Sequence, residues 1–204
     1  VIQLNTDFPL HIHRALDLAC HEGYPGHHLF NSLIEKHLVN ELGWMEYCVY
    51  PLFSPISLLA EGSANYGIEL TFPPSERLSF ERDVLFPLAG IAPSKADLLA
   101  QVRQQVQKLA YADNWVAECY LDGNITKEQA IELLMKYSLA DKEKSTQRIR
   151  FIEANRAYVI NYNLGQDLVK NYVERHAASG SQEAKWQAFT ALLKNPKTAS
   201  MMRA

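Results

Sequence analysis

The residues best suited to chemistry stand near the start of the chain, in "HEGYPGHH" at 21–28. A zinc hydrolase needs two neutral imidazoles on the metal and a carboxylate close enough to take a proton from the attacking water. The adjacent pair His21-Glu22 offers one imidazole and one carboxylate from a single turn. In the H-E-x-x-H arrangement the second histidine follows at the fourth position, on the same helix face. Here that position is Pro25, and the next histidines are His27 and His28. On an undisturbed helix the sixth position lies about 120° round from the first, and the seventh returns to the face but about 10 Å along the axis. Pro25-Gly26 changes this geometry. Proline lacks the N–H that would bond the His21 carbonyl, and its ring clashes with that carbonyl. It also drives Tyr24 away from helical angles, while Gly26 permits the dihedrals needed to restart the helix. The spacing predicts an interrupted helix in which His27 swings toward the place of a normal fourth position.

A catalytic zinc typically has three protein ligands and an open position. The third is sought in "LLAEGSANYGIEL", where Glu61 breaks an apolar helical face beside Leu58, Leu59 and Ala60. A carboxylate there is costly unless it is paired or bound to a metal. Glu69, eight residues on, lies close to the same face and is a candidate outer partner. Taken alone, both acids read as solvent-facing, and it is the His-Glu pair upstream that favours a ligand. Five of the seven histidines lie within 18 residues, but clustering by itself is weak. His11 and His13 are two apart and face different ways on a helix. Together with the isolated His37 and His176 they read as surface or capping residues.

The elements that must position these groups are helical nearly throughout. "TDFPLHIHRALDLACHE" offers Thr6 or Asp7 as a cap, then Leu10, Leu16, Leu18 and Ala19 as apolar contacts. "HHLFNSLIEKHLVNELG" puts Leu29, Leu33, Ile34, Leu38 and Leu42 on one stripe that ends at Gly43. The Glu61 helix starts with Ser54 as cap and Pro55 at the first position. A long helix is expected from Ser94 to near Gly123, and another from Thr126 with a capping box to Gln129. The stretch 141–177 reads as one or two helices with Gly165 a possible break, and 181–195 as a last one. Period-2 alternation is weak everywhere. Proline-containing joints at 51–55, 72–75 and 93 connect helices rather than domains. The expectation is one all-α, multi-helix domain over 1–204.

Composition is that of an ordinary globular chain, with 48% apolar and 21% charged residues over 204 positions. A chain of that length can bury roughly 70% of its surface. A net charge of −3 with interleaved signs provides no basic face for nucleic acid or anionic membrane. No apolar run reaches the ~20 residues of a membrane span. Cys20, Cys48 and Cys119 are too scattered for a disulfide framework and read as small buried apolar residues. The chain opens at Val1 without an initiator methionine, which suggests a processed or truncated product. Compartment, signal peptide and oligomeric state are left open.

"HEGYPGHH" followed by "AEGSANYGIE" resembles a large, mainly bacterial family with an H-E-x-x-P-G-H-H signature, grouped with the gluzincin metallopeptidases. The second segment is also similar to the E-G-x-A-x-Y-x-x-E helix of the aminopeptidase N type, whose first glutamate binds zinc. Dipeptidyl peptidase III carries an H-E-x-x-G-H variant, a precedent for a lengthened zinc helix. The resemblance covers most of the chain, including "YLDGNITKEQAIELLMKYSL" and the Gly165-Gln166 step in "EANRAYVINYNLGQDLV". It implies that His21 and His27 bind zinc with Glu61 as third ligand, that Glu22 is the general base, and that His28 is a reserve for His27. It also implies an oxyanion-steadying residue among Arg156, Tyr158 and Tyr162, of which Tyr162 is taken as the candidate catalytic group. The chain departs from the family in having no histidine in "VAECYLDGNITKEQA" and no tyrosine soon after Gly165-Gln166, which bears on substrate rather than on the ligands. The implied fold is the helical C-terminal part of such an enzyme, and the implied substrate a peptide or small amide. Two other readings stand beside it: a helical binding module that keeps the motif without turnover, and a metal-dependent hydrolase of a non-peptide ester or amide. No Ser or Cys nucleophile arrangement is evident.

Overall fold

The computed structural model describes residues 2–3 and 11–204. The helix start expected at Thr6 or Asp7, and the Leu10 contact, lie outside the described residues. Among the described residues the chain is all-helical and without strands.

A 3-10 turn, Ile12–Arg14, leads into α1 (Ala15–Leu18), which widens into a π turn over Ala19–Gly23. After the interruption at Tyr24-Pro25-Gly26 the chain restarts as α2 (His27–Ile34), widens again over Glu35–Glu41 and stops at Gly43. Gly43 has φ +72°, the left-handed angle that glycine adopts without steric cost. A 3-10 turn at Met45–Cys48 precedes α3 (Pro55–Thr71). Pro55 takes the first position as expected, but the Ser54 side chain forms no cap hydrogen bond.

The segment 74–88 adds helices that the periodicity did not reveal: α4 (Pro74–Phe80), a π turn over Glu81–Leu85 and α5 (Phe86–Leu88). The long helix expected from Ser94 is two, α6 (Ala96–Lys108) and α7 (Ala110–Leu121). They are separated at Leu109, whose N–H tightens onto the Val106 carbonyl. Ser94 sits inside a 3-10 turn rather than capping with its side chain. α8 (Lys127–Tyr137) begins with the capping box, Thr126 and Gln129 satisfying each other's backbone N–H. α9 (Lys142–Asn155) is capped by Asp141. The following break falls at Arg156, φ +49°, and not at Gly165. A 3-10 turn (Arg156–Val159) then feeds α10 (Ile160–His176), which runs unbroken through Gly165. α11 (Gln182–Lys194) and α12 (Ala199–Arg203) close the fold.

The main core joins α2, α3, α10, α11 and α12 around Phe30, Leu59, Val169, Phe189 and Leu192. A second cluster, built on Val116, Leu134, Ile149 and Ile152, holds α7, α8 and α9 together. α3 and α10 make the most extensive helix contact in the molecule. Its centre explains why Gly165 does not break α10: a Cβ on Gly62 would lie 2.2 Å from the Gly165 carbonyl carbon, and one on Gly165 would lie 2.5 Å from the Leu58 oxygen. The two glycines let the backbones touch, and that packing outweighs glycine's low helix propensity. Glu81, fully buried, accepts from Arg77 and Arg103, and Arg77 also reaches Asp17 at 2.7 Å. This ionic group ties α4 and α6 to α1, the helix that delivers His21. Of the cysteines only Cys20 is buried and Cys48 is exposed, so the expectation of three buried thiols does not hold.

Candidate metal centre

The interruption at 24–26 determines where the two imidazoles go. The π turn carries His21 and Glu22, then Tyr24 turns extended (φ −115°, ψ 125°) and the Tyr24–Pro25 peptide is cis. The Gly26 N–H donates back to the Cys20 carbonyl at 2.9 Å, and the Phe30 N–H donates to the Gly26 carbonyl at 3.0 Å. Gly26 itself has φ −81°, so its need for glycine is spatial rather than a matter of handedness. A Cβ there would stand 1.8 Å from the His21 carbonyl oxygen. Pro25 is buried against α3, where a Cβ on Gly67 would lie 2.7 Å from its Cγ. His27 thus becomes the first residue of α2, and its ring meets that of His21 edge-on with centroids 4.7 Å apart.

Glu61 on α3 completes the group. Its Oε2 lies 3.3 Å from His21 Nε2 and 3.6 Å from His27 Nε2. Neither contact closes a hydrogen bond, and Oε2 is buried without any hydrogen-bond partner. The ligand atoms of His21, His27 and Glu61 all lie within 4.8 Å of one another, so the three could hold a metal ion. Tetrahedral zinc with bonds of about 2.0–2.2 Å separates neighbouring donors by about 3.3–3.6 Å. The two imidazole–carboxylate separations fit that spacing, and the orphaned oxygen is the atom that an ion would satisfy.

The electrostatics agree with a site built for positive charge. Burial pushes the Glu61 carboxyl up, but the His21 and His27 imidazoles and the Tyr158 hydroxyl outweigh it and hold the group at about 2. Burial likewise pushes His21 down, yet Glu61, with help from Glu22 and Asn65, carries it above the ordinary imidazole value. Glu22 is half-buried on the same turn, and its charge is felt by both His21 and the Tyr162 hydroxyl.

Two further side chains touch the group. The Tyr158 hydroxyl donates to Glu61 Oε1 at 2.7 Å, and His21 Nδ1 is paired with Asn65 Oδ1 at 2.9 Å. Tyr162, on the first turn of α10, packs edge-on against Tyr158 with centroids 5.9 Å apart. Burial and the Glu61 charge push its hydroxyl up to about 12.

Comparison of the chain with protein-family models, with curated proteins and with solved structures finds no match.

Other candidate residues stand apart from the group. His28 is exposed, its ring turned onto Tyr24 at 5.1 Å. Glu69, expected as an outer partner and two turns further along α3, instead accepts from Gln166 at 2.7 Å and Lys170 at 2.8 Å, both on α10. Arg156 is exposed at the turn before α10. His37 pairs with Glu41 at 2.8 Å, and His176 stacks on Tyr172. His11 and His13 do not diverge as on an α-helix. They stack with centroids 5.5 Å apart across the 3-10 turn and are outside the His21/His27/Glu61 group. Asn65 went unnoticed in the sequence, although it lies four residues after Glu61 on the same helix face.

Proposed function

We propose that the chain is a zinc-dependent hydrolase of the gluzincin type, acting on a peptide or small amide, with His21, His27 and Glu61 as ligands. The observation that carries this reading is the buried, unpartnered Glu61 Oε2 facing two imidazole nitrogens at donor-like separations. Two imidazoles and one carboxylate also suit iron(II). The carboxylate of Glu22, next in sequence to His21, favours hydrolysis, because a water nucleophile needs a base at the metal.

Zinc, when bound, supplies Lewis acidity that polarises the scissile carbonyl and makes the attacking water more acidic. The Glu22 carboxylate takes the proton from that water and passes it to the leaving amine nitrogen. The Tyr162 hydroxyl, protonated at neutral pH as tyrosines ordinarily are, donates to the carbonyl oxygen as negative charge develops there. No covalent intermediate is required.

The test is Glu22→Gln. The variant should keep its zinc, measured by elemental analysis, and lose about 10²–10⁴-fold in hydrolysis of a peptide library. A variant as active as the parent, or iron in place of zinc in the purified protein, would contradict the proposal.

A further inference from the structure

Two polar side chains, Asn65 and Tyr158, hydrogen-bond to proposed ligands at atoms other than those that converge. We infer that Asn65 and Tyr158 are positioning residues that select which atom of His21 and which oxygen of Glu61 face the metal, an inference that rests on the metal reading above.

The selection at His21 follows from a relay. The Asn65 Nδ2 donates to the backbone carbonyl of Tyr162 at 3.0 Å, so the amide is oriented with Oδ1 toward His21 Nδ1, 2.9 Å away. An amide oxygen only accepts, so Nδ1 carries the proton and a neutral imidazole keeps its lone pair on Nε2. Nε2 is the nitrogen 3.3 Å from Glu61 Oε2. Without the relay either tautomer is open, and the ring is free to turn.

The selection at Glu61 is of the same kind. The Tyr158 O–H occupies Oε1 at 2.7 Å, leaving Oε2 toward the imidazoles. Tyr158 is itself fixed, 9% exposed and packed edge-on between Phe53 and Tyr162 at 5.8 and 5.9 Å. Tyr158 and the Tyr162 carbonyl that orients Asn65 lie in one place, the turn before α10 and its first residues, and the Gly62–Gly165 contact brings α10 against α3. The orientation of two ligands is therefore set by one helix pair. Outer partners of this sort raise ligand basicity and limit ring rotation, and their loss typically weakens metal binding 10–100-fold.

The experiment measures zinc affinity by competition with a chromophoric chelator for the parent, Tyr158→Phe, Asn65→Leu and Asn65→Asp, alongside visible spectra of the cobalt(II)-loaded proteins. Tyr158→Phe and Asn65→Leu should bind zinc about 10–100-fold more weakly and shift the cobalt bands. Asn65→Asp keeps an acceptor for Nδ1–H and should return affinity to within a few-fold of the parent. Tyr158→Phe and Asn65→Asp retain the shape of the residues they replace, so they carry the result if Asn65→Leu does not fold. Unchanged affinity in Tyr158→Phe and Asn65→Leu, with the parent binding zinc, overturns the inference alone. So does a loss in Asn65→Asp as large as in Asn65→Leu with cobalt spectra unmoved, the pattern of a packing effect. A parent protein that takes no zinc overturns it together with the metal reading.

Discussion

Glu61 sits among Leu59, Ala60 and Ala64, all buried, with one carboxylate oxygen bonded and the other bare. A buried acceptor left unsatisfied costs about 1–3 kcal/mol, more when it is charged, and on the metal reading proposed above an ion would offset that cost. In the sequence Glu61 alone reads as a solvent-facing acid, and only the His21-Glu22 pair upstream singles it out. Asn65 was not legible, since an asparagine on a helix ordinarily reads as surface, and only its place four residues from Glu61 marks it. Tyr158 and Tyr162 were both in view as candidates for steadying the oxyanion, but sequence alone could not divide the work between them. The Tyr158 hydroxyl is bonded to Glu61, so under the proposed mechanism the oxyanion role falls to Tyr162. Tyr162→Phe should therefore lower kcat by about 10²–10³-fold, the usual cost of one oxyanion donor, while KM and zinc affinity stay the same. Steady-state kinetics with a zinc titration would check this, and a rise in KM alone would contradict it.

At the scale of elements, the interrupted helix is held from outside rather than by its own dihedrals. Pro25 is wedged into the space above Gly67, and a Cβ there would come within 2.7 Å of Pro25 Cγ. Gly67→Ala should push the 24–26 segment away from α3 and part His27 from Glu61. The expected outcome is zinc binding weakened by at least about 10-fold, with a stability loss in the overpacking range of about 1–3 kcal/mol. Gly62→Ala is the sharper structural test, because its Cβ would meet backbone at 2.2 Å, where nothing flexible can give way. That variant should lose at least as much stability by denaturant unfolding. Local signals were legible where they are self-contained: Pro55 at a helix start, the Thr126–Gln129 box, the stop at Gly43. They misled where a tertiary contact decides. Gly165 reads as a breaker, yet α3 rewards its missing side chain, while the break falls at Arg156, which carries no such mark. The split at Leu109 is invisible because apolar residues continue at helical spacing across it.

At the scale of the molecule, His21, His27 and Glu61 come from the π turn after α1, from α2 and from α3, elements that separate on unfolding. A ligand that binds only the folded state stabilises it by mass action, about 2.7 kcal/mol at a hundredfold excess over Kd. For a chain of this size that corresponds to a rise in Tm of roughly 5–10 °C. Thermal melts should show the rise with zinc for the parent and none for His21→Ala, whereas calcium or magnesium, which prefer oxygen ligands, should leave both unmoved. No helix among the described residues is long and apolar enough to cross a membrane. The all-helical class was legible from periodicity. The division of the interior into the α2/α3/α10/α11/α12 core and the α7/α8/α9 cluster was not, since both present the same spacing of apolar residues. The most direct test of the account is an anomalous difference map collected at the zinc edge from crystals grown with zinc. The account predicts a single strong peak bounded by His21 Nε2, His27 Nε2 and Glu61 Oε2. A folded protein with saturating zinc and no density between those three atoms would contradict it.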